Sequence, residues 1–321
     1  MISSGPVIEL RRLFRYYGKT CAVNDISFEV ERGRVFGYIG PNGAGKTTSM
    51  RILATLDLPS AGDALIDGFS VVNDPDRVRR RLGFMPDYFG TYPNINCWEY
   101  LDFFARAYGL VGRERQQALH RVMSFTKLDR LAEKPISGLS KGMKQRLCLG
   151  RSMVHDPSVL ILDEPAAGLD PRARIELREM IGQLAADGKT ILISSHILTE
   201  LAEMCDRVGI IEQGELLAIG TVDEILTQVK QSHESTQEKL AIQVRVLNDI
   251  SALENWLAER ADVESITIDD DMLTFRQDRH RDVQATLLEE ILAAGFRVDH
   301  FGSQQTTLED AFMHVTEGRV Q

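Results

Sequence analysis

Residues 34–56 read RVFGYIGPNGAGKTTSMRILATL and join three local patterns in one order. The apolar run Val35–Ile39 has the composition of a buried β-strand. A glycine-rich segment with the spacing G-x-x-x-x-G-K-T follows from Gly40 to Thr47, and a helix-compatible segment comes next. The order predicts a strand, a tight loop and a helix, which is the context of a phosphate-binding loop (P-loop).

The chemistry of this loop is anion binding. Its glycines let backbone N–H groups converge on the β- and γ-phosphates of a nucleotide, and the following helix adds its positive N-terminal end. Lys46 places a charge between those phosphates, and the Thr47 hydroxyl can take a Mg²⁺ ion. The residues of the predicted loop are Gly40, Pro41, Asn42, Gly43, Ala44, Gly45, Lys46 and Thr47.

The composition is that of a globular protein long enough for two domains, with 321 residues of which 43% are hydrophobic. No apolar run approaches the roughly 20 residues needed to cross a bilayer, and the start, MISSGPVIELRR, lacks the apolar region of a signal peptide. We therefore expect a chain that does not insert itself into a membrane. The widely spaced Cys21, Cys97, Cys148 and Cys205 suit reduced thiols in the cytosol.

The net charge of −10 is unevenly distributed. Residues 231–321 contain 8 Lys and Arg against 18 Asp and Glu, so they carry the whole imbalance. This shift predicts a second module with an acidic surface and argues against a nucleic-acid-binding tail.

Two further segments have the pattern of strands that lead into polar residues. Val159–Leu162 is a continuous apolar run, as in a parallel strand buried on both faces, and it ends in Asp163 and Glu164. Thr190–Ser194 reads as another buried strand, and His196 follows it. Because ligands bind at the carboxyl ends of parallel strands, Asp163 suits Mg²⁺ and Glu164 could polarise a water for attack on the γ-phosphate.

The rest of the first 230 residues alternates between sheet and helix. Residues 7–31 read as antiparallel strands, and Tyr17, before Gly18, could either stack on a purine or pack across the strands. Residues 88–156 are mainly helical, with one apolar stripe in Cys97–Tyr108 and Ser140 as the N-cap of a helix.

The C-terminal residues 240–321 are predicted to form a small acidic α+β domain behind a linker at 231–239. The order β-α-β-β-α-β, closed by a helix near 308–314, indicates a ferredoxin-like layer. Asp269–Asp271 lack the spacing of an EF-hand, so a solvated hairpin tip is favoured over a Ca²⁺ site.

Residues 7–225 resemble the nucleotide-binding subunits of ABC (ATP-binding cassette) transporters. Gly40–Thr47 looks like the family's Walker A motif, and Val159–Glu164 like its Walker B motif with the catalytic glutamate. Leu139–Met143 is similar to the LSGGQ signature. The remaining matches are Asp170 in the D-loop, His196 as the switch histidine and Tyr17 as the base-stacking aromatic.

The resemblance implies an α/β fold, a P-loop NTPase with a RecA-like core, an antiparallel β subdomain and a helical subdomain at about 88–156. It also implies a head-to-tail dimer, homodimeric or heterodimeric, that binds ATP and Mg²⁺ between two cassettes. Thr48 would then join the P-loop in holding phosphates, and His196 would contact the γ-phosphate. The signature residues that would face the partner's nucleotide are Ser140, Lys141, Gly142 and Met143.

Two departures from the family pattern stand out. Asp87 occupies the position of the Q-loop glutamine; its carboxylate could bind Mg²⁺ or water but offers no amide donor. The signature reads S-K-G-M rather than S-G-G-Q, although Ser140 and Gly142 keep the phosphate contacts.

The ending, in which Thr307–Phe312 closes an acidic α+β module, looks like that of the ATPases of ABC-2 type exporters. Such a protein would sit on the inner face of the cell membrane and power export through a separate multi-span permease. The alternative is a soluble ABC protein that acts on ribosomes or nucleic acid, although we expect no nucleic-acid partner. The role of the tail, in dimer contacts or in regulation, stays open.

Overall fold

The protein is described here from a computed structural model, which covers residues 5–88, 90, 94–196, 201–227, 239–278 and 281–303. These residues form two compact units, one up to Ile225 and the other from Leu226 onward. Residues 231–238 of the predicted linker lie outside the described ranges, and Lys239 already begins a strand. Within these ranges, no helix combines the length and the hydrophobicity that spanning a bilayer requires.

The first unit contains two sheets and a set of helices. Its strands are β1 (Ile8–Tyr17), β2 (Thr20–Val30), β3 (Val35–Ile39), β4 (Ala61–Ile66), β5 (Phe69–Ser70), β6 (Leu82–Met85), β7 (Val159–Leu162), β8 (Thr190–Ser195), β9 (Arg207–Glu212) and β10 (Glu215–Gly220). Its longer helices are α1 (Lys46–Leu53), α2 (Pro75–Arg81), α3 (Cys97–Ala107), α4 (Gly112–Phe125), α5 (Lys141–Met153) and α6 (Pro171–Ala186).

The larger sheet has the described strand order β10-β9-β3-β8-β7-β6. Its strands pair in parallel from β9 to β6, and β10 pairs antiparallel to β9. Strands β3, β7 and β8 are buried along their whole length, which confirms the continuous apolar runs as parallel core strands. The carboxyl ends of these three strands therefore lie at the same edge of the sheet.

The smaller sheet of this unit is antiparallel, with the order β2-β1-β4-β5. It confirms the predicted antiparallel strands of residues 7–31, which turn at Gly18 with a φ of 59°. The inward side chains of both sheets share one apolar core that includes Ile26, Phe28, Phe36 and Tyr38. This core holds α1, and hence the loop before it, in place.

The predicted helical segment forms a separate apolar core around α3, α4 and α5. The stripe of α3 is confirmed as core, since Cys97, Tyr100, Leu101 and Ala105 are buried. Asn96 starts this helix with a capping box, in which its side chain accepts a hydrogen bond from the backbone N–H of Glu99.

The second unit contains β11 (Lys239–Val246), α7 (Ile250–Ala258), β12 (Val263–Asp269), β13 (Met272–Asp278), α8 (Arg281–Ala293) and β14 (Val298–Ser303). The sheet order is β12-β13-β11-β14 and every pair is antiparallel. This confirms the predicted β-α-β-β-α-β layer over residues 239–303. Asp270 and Asp271 form a hairpin turn, and the described residues contain no metal-binding cluster of His, Cys, Asp or Glu. The predicted closing helix at 308–314 lies outside the described residues.

His155, just after α5, is expected to make the stability of the protein sensitive to acid. Its ring stacks on Tyr108 with the centroids 3.6 Å apart, and its Nε2 lies 3.1 Å from the carbonyl oxygen of Leu82. Burial lowers the pKa of His155 to about 4, whereas an unfolded histidine titrates near pH 6.5. The unfolded state therefore binds the extra proton first, and stability is lost as the pH falls from about 6.5 to 4.

We expect this one group to remove about 3 kcal/mol of unfolding free energy over that range. Urea denaturation at pH 7 and pH 4.5 measures the loss, which should be smaller in His155→Phe because phenylalanine keeps the stacked ring without a proton to bind. The exposed His120, substituted by Gln, is the matched control for the loss of a histidine. Equal acid sensitivity of the His155→Phe variant and the parent would contradict the prediction.

Candidate active site

The predicted P-loop lies between β3 and α1, and packing forces glycine at two of its positions. A Cβ on Gly45 would lie 2.3 Å from the carbonyl oxygen of Ala22, and its φ of 101° is itself unfavourable for other residues. A Cβ on Gly40 would lie 2.3 Å from the carbonyl oxygen of Ile211. The loop is thus wedged between the antiparallel sheet and the end of β9.

A hairpin that the sequence analysis did not connect with the loop also supports it. The backbone N–H of Gly214, between β9 and β10, donates to the carbonyl of Ala44 over 3.0 Å. Gly214 in turn accepts a hydrogen bond from the backbone N–H of Asn24 in β2. From the first turn of α1, the Ser49 hydroxyl donates to the carbonyl of Gly45 in the loop. These bonds fix the loop backbone before any ligand binds.

Lys46, the first residue of α1, is folded back over the loop and only 5% exposed. Its Nζ donates to the carbonyl oxygens of Gly40 at 2.6 Å and Pro41 at 3.2 Å. Its Nζ also lies 3.5 Å from Oε1 of Glu164. Burial lowers the pKa of Lys46, and the charges of Glu164 and Asp163 oppose that effect. A phosphate group entering the loop would meet a cation already enclosed by it.

Asp163 and Glu164 follow β7 at the same edge of the sheet, as predicted from the apolar run before them. Asp163 is 1% exposed, and burial raises the pKa of its carboxyl group, while hydrogen bonds from Ser194 and Thr47 act in the opposite direction. Glu164 has its Oε2 2.7 Å from Nδ1 of His196. The structure therefore brings Lys46, Thr47, Asp163, Glu164 and His196 together.

This group of residues fits a Mg²⁺ ion. The carboxylate of Asp163 and the hydroxyl of Thr47 each offer an oxygen ligand for a metal ion. The carboxylate is buried beside the P-loop, and the Thr47 hydroxyl acts on its pKa. Mg²⁺ in nucleotide sites commonly takes one or two protein oxygens and completes its shell with phosphates and water. Asp87 follows β6 on an exposed bend, and its charge contributes to the raised pKa of Asp163. Asp87 is thus electrostatically coupled to the same site.

The residues of the signature segment form a second group around the start of α5. Ser140 is confirmed as the N-cap, with its Oγ accepting from the backbone N–H of Met143 at 3.3 Å. Gly142 packs on α6, where its Cβ position would be 3.1 Å from the Cβ of Ala173. The Nζ of Lys141 lies against Gly168, so closely that a Cβ there would clash with it.

Asp170 caps α6 by accepting a hydrogen bond from the backbone N–H of Ala173 at 2.9 Å. It shares the lining of a cleft of about 150 Å³ with Ser140, Gly142 and Met143. The segment and the D-loop position are therefore neighbours within one chain.

Tyr17 is held at the end of β1 by two charged residues. Its hydroxyl donates to Oδ2 of Asp57 at 2.5 Å, and the guanidinium of Arg15 lies 4.5 Å from its ring centroid. Arg15 also forms an ion pair of 2.7 Å with Asp57. Tyr17 is 46% exposed, so one face of the ring is covered by Arg15 and surface remains for a planar ligand. It also pairs with Thr20 across the hairpin, so both predicted roles for Tyr17 stay open.

Sequence reasoning missed Ser194, the fifth residue of β8. Its hydroxyl donates to Oδ1 of Asp163 at 2.7 Å and accepts the backbone N–H of Glu164 at 2.9 Å. The only sequence signal is a serine two positions before His196, directly after the apolar residues Ile191–Ile193.

Two family models match the chain. The model described as ABC transporter matches residues 23–167, which include the P-loop, the signature segment and the two acids. The model described as ATP-binding protein DrrA1-3-like, C-terminal domain, matches residues 220–316. The two matches follow one another along the sequence, as do the two compact units of the structure.

Similar proteins are known over the full length of the chain. The Nod factor export ATP-binding protein I of Ralstonia nicotianae is 33% identical over 318 residues, with 98% of this chain and 95% of that protein covered. The linearmycin resistance ATP-binding protein LnrL of Bacillus subtilis is 29% identical, with 97% and 98% covered. A solved ATP-binding subunit of an ABC transporter matches with a TM-score of 0.64 and 32% identity, covering 70% of this chain and 93% of that one.

Proposed function

The chain belongs to the ABC transporter family of ATP-binding proteins, and we propose that it is the ATP-hydrolysing subunit of an exporter that works through a separate membrane permease. It binds ATP and is an ATPase, as the family is. The export role draws support from full-length relatives named for Nod factor export and for linearmycin resistance. A location on the inner face of the cell membrane follows if the permease is its partner.

One observation carries the catalytic assignment. The carboxylate of Glu164 lies between the Nζ of Lys46 and the Nδ1 of His196, directly beside the buried Asp163. In this proposal Lys46, with Thr47 and Thr48, binds the phosphates, and Glu164 orients the attacking water and accepts its proton. His196 holds Glu164 and contacts the γ-phosphate as charge develops there.

The metal assignment rests on Asp163 and Thr47. Together they would hold Mg²⁺, which would supply positive charge to offset that of the bound phosphates. The burial of Asp163 excludes water from its carboxylate, so a bound cation would experience little competition from solvent. Asp87 stands close enough to act on the Asp163 charge, and we propose that it contributes a ligand or a water contact on the same side.

We further propose that two cassettes enclose ATP between them. The exposed Ser140 and Lys141 stand at the N-terminus of α5, where backbone N–H groups and the helix dipole attract an anion. Across a head-to-tail dimer, Ser140, Lys141, Gly142 and Met143 would face the γ-phosphate held by the partner's P-loop, and Asp170 would lie at the same interface. The partner is a second copy or a related cassette.

Purification from detergent-solubilised membranes tests the transport role. The tagged chain with Glu164→Gln is the appropriate bait, because slowed hydrolysis should keep the complex in its ATP-bound form. We expect a multi-span membrane protein to co-purify in stoichiometric amount when ATP is present. Recovery of ribosomal proteins or nucleic acid in place of a membrane protein would overturn the export role in favour of the soluble alternative.

Tyr17→Ala should weaken ATP binding roughly 10-fold, because stacking of a base on an aromatic ring contributes about 1–3 kcal/mol. Titration with a fluorescent ATP analogue measures the change. The neighbouring Tyr16 is the matched control, since it is equally exposed at 47% and is stacked on Phe14. If Tyr16→Ala and Tyr17→Ala have the same small effect, Tyr17 belongs to cross-strand packing and has no part in base recognition.

A further inference from the structure

A single buried hydroxyl, that of Ser194, connects the two acids of the site. Ser194 is fully buried in β8, a strand that lies next to β7 in the sheet. Its Oγ is 2.7 Å from Oδ1 of Asp163 and 2.9 Å from the backbone nitrogen of Glu164. These two contacts are made to consecutive residues with different roles.

The direction of both hydrogen bonds follows from the chemistry of the groups. A backbone N–H can only donate, so the Ser194 hydroxyl accepts a hydrogen bond from Glu164. It donates its own hydrogen to the carboxylate of Asp163. A buried carboxylate that receives this hydrogen is held in one orientation. The serine thereby orients the acid that we assign to Mg²⁺.

The bond to Glu164 acts on a strained backbone. Glu164 has a φ of 47°, in the left-handed region that is unfavourable for a non-glycine residue and persists only where its surroundings hold it. The Ser194 hydroxyl receives the N–H of this residue, and the resulting backbone turn points the carboxylate at Lys46 and His196. Without the Ser194 hydroxyl, the N–H of Glu164 would lose its hydrogen-bond acceptor. The strained backbone conformation of Glu164 would then lose the contact that supports it.

We propose that Ser194 is a positioning residue for ATP hydrolysis, which sets the Asp163 carboxylate for Mg²⁺ and the Glu164 side chain for the attacking water through one shared hydroxyl. The inference rests on the proposed catalytic roles of Asp163 and Glu164. In this inference, β8 contributes two residues to ATP hydrolysis: Ser194 within the strand and His196 just after its end.

Ser194→Ala removes the hydroxyl, and Ser194→Thr keeps it. Ser194, Ile193 and Pro165 border an apolar cavity of about 210 Å³. Threonine also suits a buried β-strand. Ser152→Ala is the matched control, because Ser152 is a buried serine in α5 whose hydroxyl donates to the carbonyl of Leu149 and to neither acid.

We expect Ser194→Ala to lower kcat roughly 10–100-fold, the size of effect seen when a reacting group is misplaced by about 1 Å. Its affinity for a fluorescent ATP analogue without Mg²⁺ should stay at the parent value, while the gain in affinity on adding Mg²⁺ should shrink several-fold. Ser194→Thr should recover most of both quantities. Ser152→Ala should change neither kcat nor the Mg²⁺ gain.

Three results would overturn the inference. Ser194→Ala could behave like Ser152→Ala, or it could lose kcat without any change in the affinity gained on adding Mg²⁺. The alanine and threonine variants could also lose kcat equally although both melt as cooperatively as the parent. Failure of the proposed function is distinguishable from these. In that case the parent chain would hydrolyse no ATP, or Glu164→Gln would leave its turnover unchanged.

Discussion

Glu164→Gln is expected to lower the rate of ATP hydrolysis by roughly 10²–10⁴-fold, the contribution typical of a positioned general base. The glutamine side chain has nearly the same shape and keeps a carbonyl oxygen, so it can still occupy the space between Lys46 and His196. It cannot accept a proton from the attacking water. ATP binding depends on the P-loop and should survive, so the variant should accumulate in its ATP-bound form.

Two measurements on the same preparation test this prediction. Phosphate release reports turnover, and size exclusion with ATP and Mg²⁺ should show the variant at twice the mass of the monomer if two cassettes enclose the nucleotide. Glu179→Gln on α6 is the control, since Glu179 is exposed and pairs only loosely with Lys127 at 3.8 Å. If Glu164→Gln hydrolyses ATP at the same rate as the parent protein, Glu164 is not the general base.

Much of the site follows from local sequence, because each component is carried by a short pattern. The apolar run before Asp163 and Glu164 predicts a buried strand, and the carboxyl ends of parallel strands share an edge with the P-loop. The N-caps are equally local, since Ser140 and the pair Asp170-Pro171 each predict a helix that begins at the next residue. Such features need no knowledge of which strands are neighbours.

The parts that sequence reasoning missed depend on contacts between distant residues. Ser194 bonds to acids about 30 residues earlier, and Gly214 supports Ala44 from 170 residues later in the chain. Neither contact has a local signature, because the first depends on β8 lying next to β7 and the second on β9 lying next to β3 in the sheet. The folded-back position of Lys46 likewise depends on carbonyls that converge only in the closed loop.

The boundaries of helices and strands likewise divide into those with a local sequence signal and those that depend on distant contacts. The sequence predicts a short strand at Ala64–Ile66, but β4 begins three residues earlier at Ala61, because Ala61 pairs with Phe14 across a bulge in β1. The sequence also predicts a helix near Glu114–Phe125, whereas α4 begins at Gly112, after a Val111 cap that offers no side-chain hydrogen bond. A bulge and an uncapped start leave no pattern in the sequence, whereas the capped starts of α5 and α6 did.

Lys46→Ala should reduce ATP affinity at least about 100-fold, since truncating one partner of a buried, hydrogen-bonded charge pair costs on the order of 2–5 kcal/mol or more. The enclosed ammonium is surrounded by the carbonyls of Gly40 and Pro41 and by Glu164, and a triphosphate would replace Glu164 as its main counter-charge. Without the lysine, Glu164 would instead repel the incoming γ-phosphate. Titration with a fluorescent ATP analogue measures the loss.

The chain offers a close control in Lys189, whose Nζ likewise bonds to a carbonyl, that of Pro157, and to a carboxylate, that of Asp156. Lys189→Ala removes the same chemical group from a similar set of partners, so it should destabilise the fold comparably while leaving ATP affinity unchanged. Parental affinity in Lys46→Ala, or equal losses of affinity in the two variants, would mean that the P-loop lysine has a structural role only. A loss confined to Lys46→Ala assigns the effect to the nucleotide, because the two substitutions differ chiefly in where the lost cation stood.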